Sequence, residues 1–243
     1  YIASFLLIFV CGFSYGQAPD FKETLALAEQ GFAKAQYNLG LMYDNGRGVP
    51  ENDKTAVMWY TKAAEQGNAK AQYNLGLMYA NGEGVPENDK TAVMWYTKAA
   101  EQGYAKAQSN LGLMYDNGEG VPENDKTAVM WYTKAAEQGH AKAQYNLGRM
   151  YANNDKTAVK WFTKAAEQGL AKAQSHLGLM YAIGEGVLSS NVKAYMWLNL
   201  AVFNGDENAA ESKDIISKRM TNEQIGRSQD LSEACLAKEY KGC

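Results

Sequence analysis

Apolar residues recur at helical spacing in two short segments that alternate along the chain. Between Glu65 and Ala100, the first segment places its apolar residues at i, i+4, i+7 and i+8, which is one face of a helix: Ala71, Leu75, Met78 and Tyr79. The second segment follows a loop that begins at Gly82, and its apolar positions are Ala92, Trp95, Tyr96, Ala99 and Ala100. Asn88 or Asp89 is suited to cap this second helix. The pattern predicts a pair of short helices.

This helix pair is repeated along most of the chain. An equivalent glycine recurs every 36 residues from Gly31 to Gly139, then at Gly169 after 30, with a degenerate match at Gly205. Two helices of about three turns cannot bury their apolar faces alone, so neighbouring pairs must stack into a continuous core. The sequence therefore predicts an all-α fold, an α/α solenoid. Its five repeats are expected at residues 29–64, 65–100, 101–136, 137–166 and 167–205.

The beginning of the chain has the character of a secretory signal. Residues 1–16 carry no charge, and the apolar run from Phe5 to Phe13 is followed by small residues, which predicts cleavage after Gly16. The run is far shorter than the ~20 residues of a membrane span. A lipoprotein modified at Cys11 is the alternative, although Val10 stands where a small residue is expected.

Terminal helices are expected to cap the array. Residues 17–28 form the predicted N-terminal capping helix, opened by a capping box from Asp20 to Glu23. Residues 206–243 form the predicted C-terminal cap. Its first helix, 208–220, is expected to bury Ile215, Ile216 and Met220, and a capping box at Thr221 opens its second helix. Such caps close a repeat core with a polar outer face.

Charge and cysteine content narrow the class of protein. The net charge is −3 without any block of like charges, which argues against nucleic acid as a partner.

Outside the signal, the cysteines are Cys235 and Cys243. In one helix eight residues rise ~12 Å, so a bridge requires the chain to turn back around 240–242. An exported protein favours that bridge, and we expect a periplasmic or secreted monomer without a membrane span.

Comparison of the repeats with one another suggests what each position does. We call the residues at one position in successive repeats a column. The Trp column and the Tyr column do not vary, which is typical of core packing: Trp59, Trp95, Trp131, Trp161, Trp197 and Tyr43, Tyr79, Tyr115, Tyr151, Tyr181. A glycine inside each first helix, such as Gly76, indicates close helix approach. The Met58, Met94 and Met130 column becomes Lys160, which predicts an outer, solvent-facing position.

The motif A-x-x-x-L-G-x-x-Y-x-x-G, followed by A-x-x-W-Y-x-K-A-A-x-x-G, resembles the Sel1-like repeat family, a relative of the tetratricopeptide repeats. The resemblance covers Glu29 to Gly205. It implies a right-handed superhelix that serves as a scaffold for other proteins. It also implies that the remaining columns of the first helices, which share one face, line a concave groove. The candidate peptide-binding residues are Lys34, Tyr37, Leu41, Lys70, Tyr73, Leu77, Lys106, Leu113, Lys142, Tyr145 and Arg149.

Few residues indicate catalysis. Ser190 and Lys193 match the Ser-x-x-Lys motif of serine β-lactamases and penicillin-binding proteins, but the accompanying Ser-Asp-Asn and Lys-Thr-Gly motifs are absent from the sequence. Ser190 is more simply a helix cap. His140 and His176 occupy different columns without further ligands at metal spacing, so no metal or cofactor is expected.

The sequence thus predicts a non-enzymatic scaffold that binds a protein or peptide through its concave face. The alternative for the candidate peptide-binding residues is an ordinary solvent-exposed face that binds no ligand. The alternative function is a cell-wall or β-lactam hydrolase, or a penicillin-binding protein, of the secreted Sel1-like type.

Overall fold

A computed structural model describes residues 20–152 and 155–243. This part of the chain forms thirteen helices and no strand: α1 Phe21–Glu29, α2 Ala33–Asp44, α3 Asp53–Glu65, α4 Ala69–Asn81, α5 Asp89–Glu101, α6 Ala105–Asn117, α7 Asp125–Glu137, α8 Ala141–Met150, α9 Asp155–Ala166, α10 Ala171–Ile183, α11 Asn191–Phe203, α12 Asn208–Ser217 and α13 Asn222–Ala237. The predicted signal peptide and Cys11 lie outside the described residues, as do Asn153 and Asn154.

Each helix packs against the next one in the chain, from α1 to α12, and α13 packs against α11. The first helices of the five pairs are α2, α4, α6, α8 and α10, and the second helices are α3, α5, α7, α9 and α11. Their buried residues form successive clusters that each span more than one pair. The prediction of an all-α solenoid is confirmed.

Local sequence signals set the helix ends. Asn88, rather than Asp89, caps α5, since its Oδ1 accepts a hydrogen bond from the Thr91 amide at 3.0 Å. Gly82 ends α4 in the left-handed conformation, with φ at 71°. The predicted capping box at Thr221 is present at the start of α13, whereas Asp20 caps α1 through its side chain alone.

A buried glutamine in each first helix links neighbouring pairs. The Gln72 Nε2 atom donates to the Ala64 carbonyl at 3.0 Å, and its Oε1 atom accepts from Gln102 Nε2 at 2.7 Å. Equivalent bonds form at Gln36, Gln108, Gln144 and Gln174. Because a buried amide without partners is costly, the bond to Ala64 fixes how each pair stacks on the preceding one, and the bond from Gln102 ties the two helices of one pair together.

The loop between the two helices of one pair covers the preceding pair. A side chain on Gly84 would meet the backbone of Asp53 at 2.5 Å, and the φ of Gly84 is +69°. Only glycine fits both requirements. Valines from three such loops pack against the clusters that contain Trp59, Trp131 and Trp197. The fourth pair lacks this loop, and its Trp161 is only partly buried.

The C-terminal helices close the array. Helix α13 covers the outer side of α11, so Met196, in the otherwise exposed Met column, is buried there. Ile216 is buried as predicted, but the prediction for Ile215 is wrong: it is 45% exposed, because α12 buries only one narrow stripe. The predicted bridge joins Cys235 to Cys243, and the chain turns back through Glu239 and Tyr240 at positive φ.

The glycine within each first helix allows the second helix to approach closely. A Cβ atom at Gly76 would lie 2.6 Å from the ring of Tyr96, which is 2% exposed and cannot easily move. The same contact recurs against Tyr60, Tyr132 and Phe162. The predicted role of this column in close helix approach is therefore confirmed.

We expect Gly76→Ala to lower the free energy of unfolding by about 1–3 kcal/mol, because the added methyl overpacks the contact with Tyr96. Gly226→Ala is the matched control, since Gly226 lies in α13 with no atom within 4 Å of an added Cβ. Helix propensity alone then applies, and stability should rise by up to ~1 kcal/mol. Urea denaturation measures both changes. Equal stabilisation by both substitutions would contradict the close approach.

Candidate binding face

The predicted binding residues project from one side of the first helices, which we call the first-helix face. Three predicted columns compose it: Lys34, Lys70, Lys106, Lys142, Lys172; Tyr37, Tyr73, Ser109, Tyr145, Ser175; and Leu41, Leu77, Leu113, Arg149, Leu179. A fourth column, which was not predicted, lies among them: Asn38, Asn74, Asn110, Asn146 and His176. All five lysines and Arg149 are exposed, and the three tyrosines are partly buried. Leu113 and Leu179 are 37% and 43% exposed, whereas the shorter side chains of Ser109 and Ser175 are buried.

Each tyrosine of the first-helix face packs against an aromatic ring contributed by a second helix. The Tyr37 ring centroid lies 6.0 Å from that of Tyr60, and Tyr73 lies 5.9 Å from Tyr96. Tyr145 lies 5.8 Å from Phe162 and 5.3 Å from His176. Each exposed tyrosine edge is thus held by a buried ring beneath it, which keeps the aromatic surface rigid.

Hydroxyl groups of the second-helix tyrosines reach the end of the first helices. Tyr60 Oη donates to Asp44 Oδ2 at 2.9 Å, and Tyr132 Oη donates to Asp116 Oδ2 at 3.3 Å. Burial raises the pKa of Tyr96 to about 12 and also raises the pKa of Asp44. The tyrosine hydroxyls therefore stay protonated at neutral pH and act as fixed donors.

A further column of this face was missed in the sequence. It is the residue just before each first helix, namely Phe32, Asn68, Tyr104, His140 and Leu170, together with the equivalent Asp206, which lies two residues before α12. Tyr104 packs edge-on to Tyr73, with ring centroids 5.3 Å apart, and Asp206 accepts a hydrogen bond from Ser175 Oγ. Burial lowers the pKa of His140, and Lys142 and Lys106 lower it further, so this column also borders the lysines.

This column could have been recognised by comparing the repeats with one another, because it is one of the few positions at which they differ. The first three blocks, residues 33–68, 69–104 and 105–140, differ from one another at only four positions: Tyr37, Tyr73, Ser109; Asp44, Ala80, Asp116; Arg47, Glu83, Glu119; and Asn68, Tyr104, His140. The first and last of these columns belong to the first-helix face. Asp44 lies beneath the face, where it accepts a hydrogen bond from Tyr60. Arg47 lines a cavity of about 480 Å³ together with Asn38 and Leu41.

Solvent exposure alone does not explain where the variation falls. The three second helices α3, α5 and α7 have the same thirteen residues, although each carries exposed side chains on its outer side. Met58, Met94 and Met130 are each 44% exposed, which confirms the predicted outer position of this column. In these three blocks the outer surface of the second helices is therefore repeated without change, while the Tyr37 column of the first-helix face and the residues at its border differ from block to block.

The face ends in a cavity where α12 packs beside α10. The cavity has a volume of about 300 Å³, and its lining includes Tyr145, Lys172, His176, Leu179 and Asp206. Aromatic, apolar, cationic and anionic groups thus meet at one end of the first-helix face.

The structure gives Ser190 a structural role. Its Oγ atom accepts a hydrogen bond from the Lys193 amide at 3.3 Å, and Ser190 is the N-cap of α11. The Lys193 ammonium instead lies 5.1 Å from the centre of the Tyr181 ring. Nothing in this arrangement supports the hydrolase alternative.

These features define a tandem helical-repeat protein whose first helices expose one aromatic and cationic surface. A Sel1 repeat family model matches residues 33–68, 69–104, 105–140, 141–170 and 171–206, each block starting four residues after the corresponding predicted repeat. Because the match covers more than half of the chain, the protein belongs to the Sel1 repeat family.

Solved structures show the same fold. A Sel1 repeat protein from Oxalobacter formigenes is 37% identical with a TM-score of 0.73, over 81% of this chain and 58% of that one. The chain thus spans less than two thirds of that protein's length. A putative Sel1 repeat protein from Klebsiella pneumoniae is 24% identical, with a TM-score of 0.52, over 82% of this chain and 100% of that one. Immunity protein PA5088 from Pseudomonas aeruginosa is 22% identical with a TM-score of 0.52, over 93% and 89% of the two chains. No curated protein sequence matches.

Proposed function

We propose that this protein is a non-enzymatic scaffold that binds a protein or peptide segment along its first-helix face, the expected concave groove. One observation carries the proposal: the differences between the near-identical first three blocks fall on this face and its border. Repeats that share one core and one outer surface, yet differ where side chains can touch a ligand, are typical of binding surfaces that distinguish between partners.

The chemistry of the face supports the same function. Rigid aromatic rings such as Tyr73 offer a large contact area with little loss of conformational freedom, and tyrosine is enriched among residues that dominate binding energy. Exposed Leu113 and Leu179 add apolar surface beside them. Sel1 repeat proteins generally act as protein-interaction scaffolds, which agrees with this assignment.

We also propose that the protein works in the periplasm or outside the cell. The disulfide between Cys235 and Cys243 is typical of proteins from oxidising compartments. None of the helices within residues 20–152 and 155–243 has the length and apolar character of a membrane span.

The binding face can be tested with peptides selected from a random display library against the purified protein. Tyr73→Ala and Tyr145→Ala should each weaken binding of a selected peptide by ~2 kcal/mol or more, because truncation removes desolvated aromatic surface. Met94→Ala and Met130→Ala are matched controls on the outer side and should leave the affinity unchanged. Calorimetric titration measures each affinity, and circular dichroism checks the fold.

The opposite pattern would contradict the proposal. If the double variant Tyr73→Ala/Tyr145→Ala stays folded and binds as the parent does, while the outer-side variants lose binding, the interface lies on the second helices. A library that yields no binding peptide would also remove its support.

A further inference from the structure

One row of cations runs along the first-helix face without local partners: Lys34, Lys70, Lys106, Lys142 and Lys172. In the described part of the chain, no carboxylate lies within 4.0 Å of any of these ammonium groups, and the ion pair that does form there joins Lys241 to Glu239 near the C-terminus. The nearest carboxylates in sequence, such as Glu65 and Glu101, end the preceding second helices and do not pair with the row.

The lysines are placed where they do not stabilise their own helices. Each is the second residue of a first helix, at the positive end of the helix dipole, and no acidic residue lies in any of those first turns. The second helices also have a lysine as their second residue, such as Lys90 in α5, but there Asp89 lies in the same first turn and Lys98 lies in the last turn. Helix stability therefore does not explain the row.

The most divergent pair of helices keeps the row as well. In α11, Val192 and Leu200 occupy the columns that hold Lys90 and Lys98 in α5, so both second-helix lysines have been replaced. Its partner helix α10 retains Lys172, which remains exposed and lines the cavity near α12. The row is thus continuous over all five pairs, and its electrostatic effect extends to His140, whose pKa is lowered first by burial and then by the neighbouring Lys142 and Lys106.

We infer that the partner is an extended peptide segment whose acidic side chains face the lysine row while its apolar side chains contact the columns of Tyr37 and Leu41. This inference rests on the proposed binding function of the same face. A line of uncompensated ammonium groups complements carboxylates and raises the rate of encounter with an acidic chain. Arg149 adds a sixth cation on the same face, in the Leu column.

A peptide fits this face better than a nucleic acid does. Asp44, Asp116 and Asp206 lie at or beneath the face, and the chain as a whole has a net charge of −3, so a continuous line of phosphates would be repelled away from the row. An acidic peptide can instead direct its carboxylates to the lysine edge and its apolar residues to Leu113 and Leu179.

The probes are three fluorescein-labelled peptides of equal length, which alternate leucine with glutamate, with glutamine or with lysine. The Glu-Leu peptide should bind at least about tenfold more tightly than the Gln-Leu peptide at low salt, and the advantage should shrink as ionic strength rises. The Lys-Leu peptide should not bind. Fluorescence anisotropy measures all three affinities.

Charge reversal provides the matched variants. Lys70→Glu/Lys106→Glu should remove about tenfold or more of the affinity for the Glu-Leu peptide. Lys90→Glu/Lys126→Glu makes the same change of net charge on the second helices, where both lysines are also exposed, and should have little effect. Equal losses from both pairs would show that only overall charge matters and would overturn the inference.

Other outcomes separate this inference from the proposed function. If the Glu-Leu peptide does not bind, or binds no better than the Gln-Leu peptide, the acidic partner is wrong. If Tyr73→Ala still weakens binding of the Gln-Leu peptide, the first-helix face remains a binding surface, but one that does not prefer acidic peptides. Equal competition by a single-stranded oligothymidine would indicate a general polyanion site and would also overturn the acidic peptide.

Discussion

Replacing Trp95 with alanine is expected to lower the free energy of unfolding by about 3–5 kcal/mol, because a large buried ring would leave a cavity that its neighbours cannot fill. Trp95 is 7% exposed. It belongs to α5 but packs in the cluster of Tyr60, Leu75 and Met78, which come from α3 and α4. The substitution therefore weakens the contact between two helix pairs as well as the packing within one, and chemical denaturation in urea should show the loss.

Met94→Lys is the matched control for this experiment. Met94 immediately precedes Trp95 but is 44% exposed, and the fourth pair carries Lys160 in the same column. Its effect on the free energy of unfolding should lie within about 0.5 kcal/mol. Similar losses for Met94→Lys and Trp95→Ala would show that the inner and outer columns have been assigned wrongly.

Removal of residues 65–100 is expected to leave a shorter folded array. The deletion joins α3 to α6, and α6 presents to α3 the same buried residues as α4 did, since Ala107, Leu111 and Met114 replace Ala71, Leu75 and Met78. Because each pair contacts only its neighbours, mean residue ellipticity should be retained, while the denaturant m-value should fall by roughly one seventh.

The control deletion removes only half of a unit, residues 65–82, which contain α4. It places two second helices in succession and breaks the alternation on which the Gln72 and Gly76 contacts depend. This variant should lose cooperative unfolding. If it folds as well as the deletion of a full unit, or if the full-unit variant loses its helical signal, the stacking of helix pairs described above is wrong.

The fold could be predicted from sequence because its determinants are local and repeated. The apolar spacing of Leu75 and Met78, the cap at Asn88 and the stop at Gly82 act within a few residues. The bridge between Cys235 and Cys243 also followed, since helix geometry left one place where the chain could turn back.

Contacts between repeats were harder to predict. The Gln72 bond to Ala64 links neighbouring pairs, and the Gln102 bond to Gln72 joins the two helices of one pair across 30 positions. The sequence gives no sign that the Gln72 amide is buried. The exposure of Ile215 was missed because an amphipathic pattern does not reveal how much of a terminal helix its neighbours cover.

Only part of the first-helix face could be predicted from the sequence. The helical period grouped Lys70, Tyr73 and Leu77 correctly on one side of α4. It could not include Tyr104, because that residue precedes its helix and reaches Tyr73 only through the stacking of the next pair. The four variable positions were available from the sequence, but their common location needed the structure.

Site-specific photocross-linking tests the central claim most directly. A benzophenone side chain placed at Tyr104 or at Met94 samples the first-helix face or the outer side, and the bound molecule is a peptide selected from the display library. Cross-links from position 104 and none from position 94 are expected. Cross-links from position 94, with none from position 104, would place the partner on the second helices and contradict the assignment.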